Sequence, residues 1–150
     1  MRGFTFVEVL ISIFVLILLG SIGVTAFISS RDSKNLDVIT DGLDSTLELA
    51  KSDAIAGKNA SNFGVEFDSG SYTYFAGSAY SAGTATNKVT LLPTGWKLST
   101  TTSSGRSYIV FNHLTGTAQA TGTITVSNIA NASSTRSVSV GASGDITVIK

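Results

Sequence analysis

The sequence predicts an α+β protein: a long N-terminal α-helix, transmembrane in its first half and amphipathic in its second, packed against an antiparallel β-sheet head. Three observations carry this. Val9 to Ile28 is an unbroken run without a charged side chain; Leu36, Thr40, Leu43, Leu47, Ala50 and Ala54 repeat at helical spacing; and from Asn62 onward the apolar period falls to two. One helix followed only by strands leaves the sheet to pack on the helix's amphipathic half.

The apolar run is long enough to cross a bilayer, which takes about 20 helical residues. Arg2 and the chain amine precede it, and short positive flanks stay in the cytoplasm, so the rest of the chain is expected outside. Ser12, Gly20, Ser21, Gly23 and Thr25 place small side chains along the run, which lets membrane helices approach closely. A cleaved secretory signal is the rival reading. Its apolar region spans roughly 7–15 residues, however, whereas this run is longer and Ser29 to Lys34 leads straight into another helical pattern. Glu8, at the head of the run, is unexplained by a plain anchor. A charge in hydrocarbon costs roughly 2.5–3.5 kcal/mol on insertion scales, so a cationic partner is expected to come with assembly.

The helix is expected to continue to about Ala56, with Gly57 as its stop. Asn62 to Asp68 then alternates, Asp68-Ser69-Gly70-Ser71 forms a turn cluster, and Tyr72 to Phe75 completes a hairpin. Further strands are expected at Lys88 to Leu92, Trp96 to Thr100, Ser107 to Phe111, Gly122 to Ser127, Arg136 to Val140 and Asp145 to Ile149.

Formal net charge is zero, yet the charge is unevenly placed. Phe4 to Asp68 holds nine acidic and four basic side chains, a net of −5, while Ser69 to Lys150 holds five basic and one acidic, a net of +4; Arg2 restores zero. Asp37, Asp41, Asp44 and Glu48 fall on one helical stripe. A solvated helix face accounts for such a stripe. The sharper reading is complementarity across a filament, with Lys88, Lys97, Arg106 or Arg136 of a neighbour facing it.

Arg2-Gly3-Phe4-Thr5-Phe6-Val7-Glu8-Val9-Leu10 resembles the processing and methylation motif of type IV pilin-like proteins. The resemblance implies that a prepilin peptidase cuts after Gly3 and N-methylates Phe4. It further implies that Glu8, then the fifth mature residue, meets the terminal amine of a neighbouring subunit, with Phe4 and Thr5 beside it in the assembly contact. Residues 1–3 would be the leader, 4–28 the membrane and filament-core half of the helix, 29–57 its amphipathic half and 58–150 the β-rich head. Leu49 to Lys58 followed by a strand, Ile109-Val110-Phe111-Asn112 before Gly116, and Val138-Ser139-Val140 before Gly144-Asp145 are similar to the H-type minor pseudopilin and fimbrial T-type branch. The implied partners are the peptidase, other pilin or pseudopilin subunits, the inner membrane and an assembly platform. The implied place is the inner membrane with the head outside the cytoplasm, then a periplasmic or surface filament.

Enzyme signals are poor. Cysteine is absent, which removes disulfides, thiol nucleophiles and cysteine metal sites, and His113 is the sole histidine, in a turn-like setting. No catalytic residue, cofactor or metal is expected. Thr94-Gly95-Trp96 and Gly141 to Gly144 read as turns, and Asn59-Ala60-Ser61 and Asn131-Ala132-Ser133 match the short glycosylation pattern. The alternative function is a head that binds a surface or DNA. Nucleic acid would use Lys88, Trp96, Lys97, Arg106 and Tyr108, cations interleaved with stacking groups.

Overall fold

The structure, a computed structural model, describes residues 3–149, except for the side chains of residues 21–29. By compactness the chain divides into two units, Met1–Lys34 and Asn35–Lys150. Helix α1 runs Phe6–Ile55 and so ends one residue before the expected Ala56.

In the first unit α1 presents its apolar side chains outward. Phe6 is 79% exposed and Phe14 62%. Among the described residues no helix is long and apolar enough to cross a membrane, and the end of the expected span, from Ser21 to Ile28, lies outside the described side chains.

In the second unit α1 supplies one wall of the core. Leu36, Ile39, Thr40, Leu43, Leu47, Ala50 and Ala54 are all buried, which is the face their spacing predicts. Thr40 can sit there because its hydroxyl donates to the Leu36 carbonyl at 2.7 Å. The helix ends where Gly57 adopts φ 67°, a conformation free of strain only for glycine. The Ala54 carbonyl, left over at this terminus, accepts from the Gly57 and Leu114 amides at 3.1 and 2.9 Å.

Eight antiparallel strands follow: β1 (Phe63–Asp68), β2 (Ser71–Ala76), β3 (Lys88–Leu91), β4 (Trp96–Thr102), β5 (Tyr108–Phe111), β6 (Gly122–Asn128), β7 (Thr135–Val140) and β8 (Ile146–Ile149). Each corresponds to an expected segment. The difference lies in their grouping: instead of one sheet they make two, ordered β3-β2-β1-β5 and β4-β6-β7-β8. Strand β5 does not pair with β4, its predecessor; it crosses to β1, setting Val65 opposite Ile109. The sheets meet where Leu98 of β4 donates its amide to the Ser69 carbonyl in the β1–β2 turn, at 2.9 Å.

Alternation along the strands sends one face of each sheet to the helix. Phe63, Val65, Phe67, Tyr72, Tyr74, Ile109 and Phe111 from one sheet, and Trp96, Leu98, Ile124, Val126, Val138 and Val140 from the other, form one core with α1. The outward rows of the second sheet are hydroxylic, with Ser99 opposite Thr125 and Thr125 opposite Ser137.

Candidate functional site

The start of α1 gathers the residues that the motif singles out. Thr5 is the helix cap: its Oγ1 accepts from the Glu8 amide at 3.3 Å, and its carbonyl accepts from the Val9 amide at 3.2 Å. Ser12 Oγ donates to the Glu8 carbonyl at 2.8 Å, so the backbone of Glu8 is held from both sides. Sequence reading assigned Thr5 and Glu8 to assembly and missed their shared local role, for which Thr-x-x-Glu ahead of an apolar run is the signal. A carboxylate in the first turn also faces the positive end of the helix dipole. Among the described residues Glu8 makes no ion pair.

Gly3 and Phe4 precede the helix and are exposed, Phe4 by 82%. The backbone after Gly3 is thus outside the helical hydrogen-bond ladder, the condition a peptidase needs. Met1 and Arg2 lie outside the described residues.

The acidic stripe divides. Asp37, at its head, pairs with Arg136 of β7 in the same chain. Arg136 is therefore engaged internally, a correction to its expected role on a neighbour; it faces the helix because its position alternates in register with buried Val138 and Val140. Asp41 and Glu48 stay exposed, Asp44 is half-buried, and none of the three forms an ion pair among the described residues.

A second polar cluster stands at the far end of α1. Asp53 Oδ2 accepts from Lys58 Nζ at 2.6 Å and from the Tyr74 hydroxyl at 2.5 Å. The bond from Lys58, followed by that from Tyr74, holds the Asp53 carboxyl below the usual carboxylate range. Burial first, and then the bond to Asp53, push the Tyr74 phenol well above its ordinary value. Lys88 Nζ lies 5.9 Å from the centre of the Tyr74 ring.

The residues gathered for nucleic acid do not make one binding face. Trp96 is only 6% exposed, because its side chain turns inward with Leu98, and so cannot stack on a base. Lys88 and Lys97 stand on different sheets, and Arg106 is held over the Tyr108 ring, its Nη1 donating to the phenol oxygen at 2.9 Å. His113 sits in a turn, where its backbone amide donates to Asn62 Oδ1 at 2.7 Å. Among the described residues no group of three or more potential metal ligands occurs.

A helix with an exposed apolar, capped start and a second half buried under antiparallel strands defines the pilin-type class of filament subunit. Residues 40–144 match the sequence model of the family described as type II transport protein GspH, and the chain belongs to that family. Its role is that of a minor, structural pilin-type subunit. The fold is similar to that of the type IV minor pilin FimU of Pseudomonas aeruginosa, at 14% identity over 78% of this chain and 90% of that one, with a TM-score of 0.60. It is also similar to the minor pseudopilin EpsH from the type 2 secretion system of Vibrio cholerae, at 14% identity over 77% and 96% of the two chains, with a TM-score of 0.57. No curated protein sequence matches.

Proposed function

We propose that the chain is made as a precursor, held in the inner membrane by Val9 to Ile28 with its head outside, and built into a type II secretion pseudopilus or type IV pilus. In this reading residues 1–3 are a leader that prepilin peptidase removes, with N-methylation of Phe4. Residues 4–28 are first a membrane store and then filament core, 29–57 are the spine of the head, and 58–150 are the head itself. An assembly platform draws the processed subunit from the membrane. The head carries no catalytic role.

The observation that carries the proposal is Glu8: an exposed carboxylate without an ion pair among the described residues, fixed in the first helical turn among exposed apolar side chains. Burying it in a filament is tolerable only against a positive charge, and the new amine of Phe4 on a neighbour supplies one. The family match begins at residue 40, so this part of the reading stands on the motif and the capped helix start.

Mass spectrometry of the N-terminus in the native host tests the processing. A mature chain beginning at methylated Phe4 is expected; intact Met1 beside an active peptidase would overturn it. Glu8→Ala is expected to insert into membranes as the parent does and to enter filaments poorly. Normal incorporation of that variant would show that Glu8 has no pairing role.

A further inference from the structure

Between α1 and the edge strand β3 runs a trough whose two ends differ in chemistry. Its floor is Tyr72 and Tyr74, and the register that places Tyr72 opposite Thr90 and Tyr74 opposite Lys88 makes the two ends continuous. One end is an apolar cavity of about 300 Å³ between Val38 and Gly42 on the helix and Leu91, Leu92 and Pro93 on the strand side. The other is a cavity of about 260 Å³ bordered by Lys58, Asn59, Tyr74 and Lys88. Tyr72, which lines the first, and Tyr74, which lines the second, are two strand residues apart, or about 7 Å.

Several features mark the trough as unfinished surface. All four residues of β3 are exposed, and it is the edge of its sheet. Val38, 71% exposed, is a large apolar group on the helix side of one cavity, and Leu92 and Pro93 border it on the strand side. At the other end Lys58 and the Tyr74 hydroxyl already engage the Asp53 carboxylate, and among the described residues Lys88 makes no ion pair. An apolar cavity beside an uncompensated cation selects a partner with an apolar side chain next to a carboxylate. The chain shows that helices of its own class present such pairs: on α1, Asp41 lies one turn from exposed Val38, and exposed Glu48 stands beside the half-exposed Leu49.

We propose that this trough receives the acidic, apolar helix face of a neighbouring pilin-type subunit, its apolar side chain against Val38, Leu92 and Pro93 and its carboxylate at Lys58 and Lys88. The contact is heterologous, with different surfaces on the two partners, which is the geometry that propagates along a filament instead of closing into a dimer. It rests on the filament reading given above and adds to it the surface and the chemistry of the partner.

The absence of native cysteine makes the test direct. A Thr90→Cys variant of the full chain carries a benzophenone maleimide in the native host, and adducts are identified by mass spectrometry. Cross-linking to an acidic, apolar helical segment of a pilin-type subunit is expected. Lys88→Glu and Val38→Asp, each added to the labelled chain, should lower that adduct about tenfold, while Lys97→Glu on the other sheet leaves it unchanged. Adducts to a protein of another class, or to lipid, would overturn the proposal. So would equal adduct yield in all the variants, or equal loss in all of them. Filament incorporation of the unlabelled parent chain is measured alongside: its failure removes the filament reading itself, whereas normal incorporation with an unoccupied trough removes only the docking surface.

Discussion

Tyr74 and Asp53 tie sheet to helix: the phenol of β2 donates a 2.5 Å hydrogen bond to a carboxylate two residues from the end of α1. Lys58 completes the arrangement from the turn that follows, so one carboxylate fastens the helix, that turn and β2. Replacing Tyr74 by Phe keeps the ring and removes the donor. Thermal or urea unfolding should show a loss of about 1 kcal/mol, the usual net worth of one such bond.

The same carboxylate sets a pH dependence. Its pKa in the folded state lies below that of an ordinary aspartate, so its stabilisation is complete above about pH 4 and fades as pH falls through the lower, folded value. Asp53→Asn is therefore expected to melt below the parent at pH 7, and the gap should shrink by pH 3. An unchanged gap between the two pH values would rule out the ionised carboxylate as the cause.

Tyr74 titrates in the opposite sense. Its raised pKa means that folding favours the neutral phenol, a contribution fully present below pH 10 and lost as pH rises through the folded value. In an ultraviolet titration the Tyr74 phenol should ionise well above the ordinary phenol range. Tyr74→Phe should abolish that late component, and Asp53→Asn should move it part of the way back, because burial is the larger cause.

Gly64 tests the closeness of the first sheet. A Cβ there would stand 2.5 Å from the Ile109 carbonyl oxygen and 2.8 Å from Phe75 Cζ. Gly64→Ala should cost about 1–3 kcal/mol through forced repacking. Gly70→Ala, with open space around its Cβ, is the control and should unfold as the parent does.

The helix start separates capping from assembly. Thr5→Val removes the side-chain acceptor of the Glu8 amide and should weaken the first helical turn by about 1 kcal/mol, seen as faster amide exchange at Glu8. Glu8→Ala should leave that exchange nearly unchanged while affecting filament entry, since the cap uses the Glu8 backbone.

Helix bounds, its buried face and all eight strands were legible in the sequence because each depends on local periodicity or on a breaker such as Gly57. Pairing was not. Tyr108 to Phe111 reads as a strand from its apolar and aromatic residues, but nothing local says that β5 joins β1 across the intervening β4. Arg136 read as a free cation for the same reason, since Asp37 lies far away in sequence. Trp96 was misjudged as a stacking group because aromatic residues serve cores and surfaces alike, and only burial tells the two apart.

The crossing of β5 to β1 has a kinetic consequence. Because β4 of the second sheet lies in the chain between β3 and β5 of the first, the first sheet takes its last strand only after the chain has laid down the first strand of the second. The strands of the head should then gain and lose order together, in one transition, with no half-built sheet as a resting state. Their pairings join distant parts of the chain, which slows the search for them. A head emerging from a membrane would hold unpaired edges until its last strands arrive, and that interval is when it is most exposed to aggregation and proteolysis.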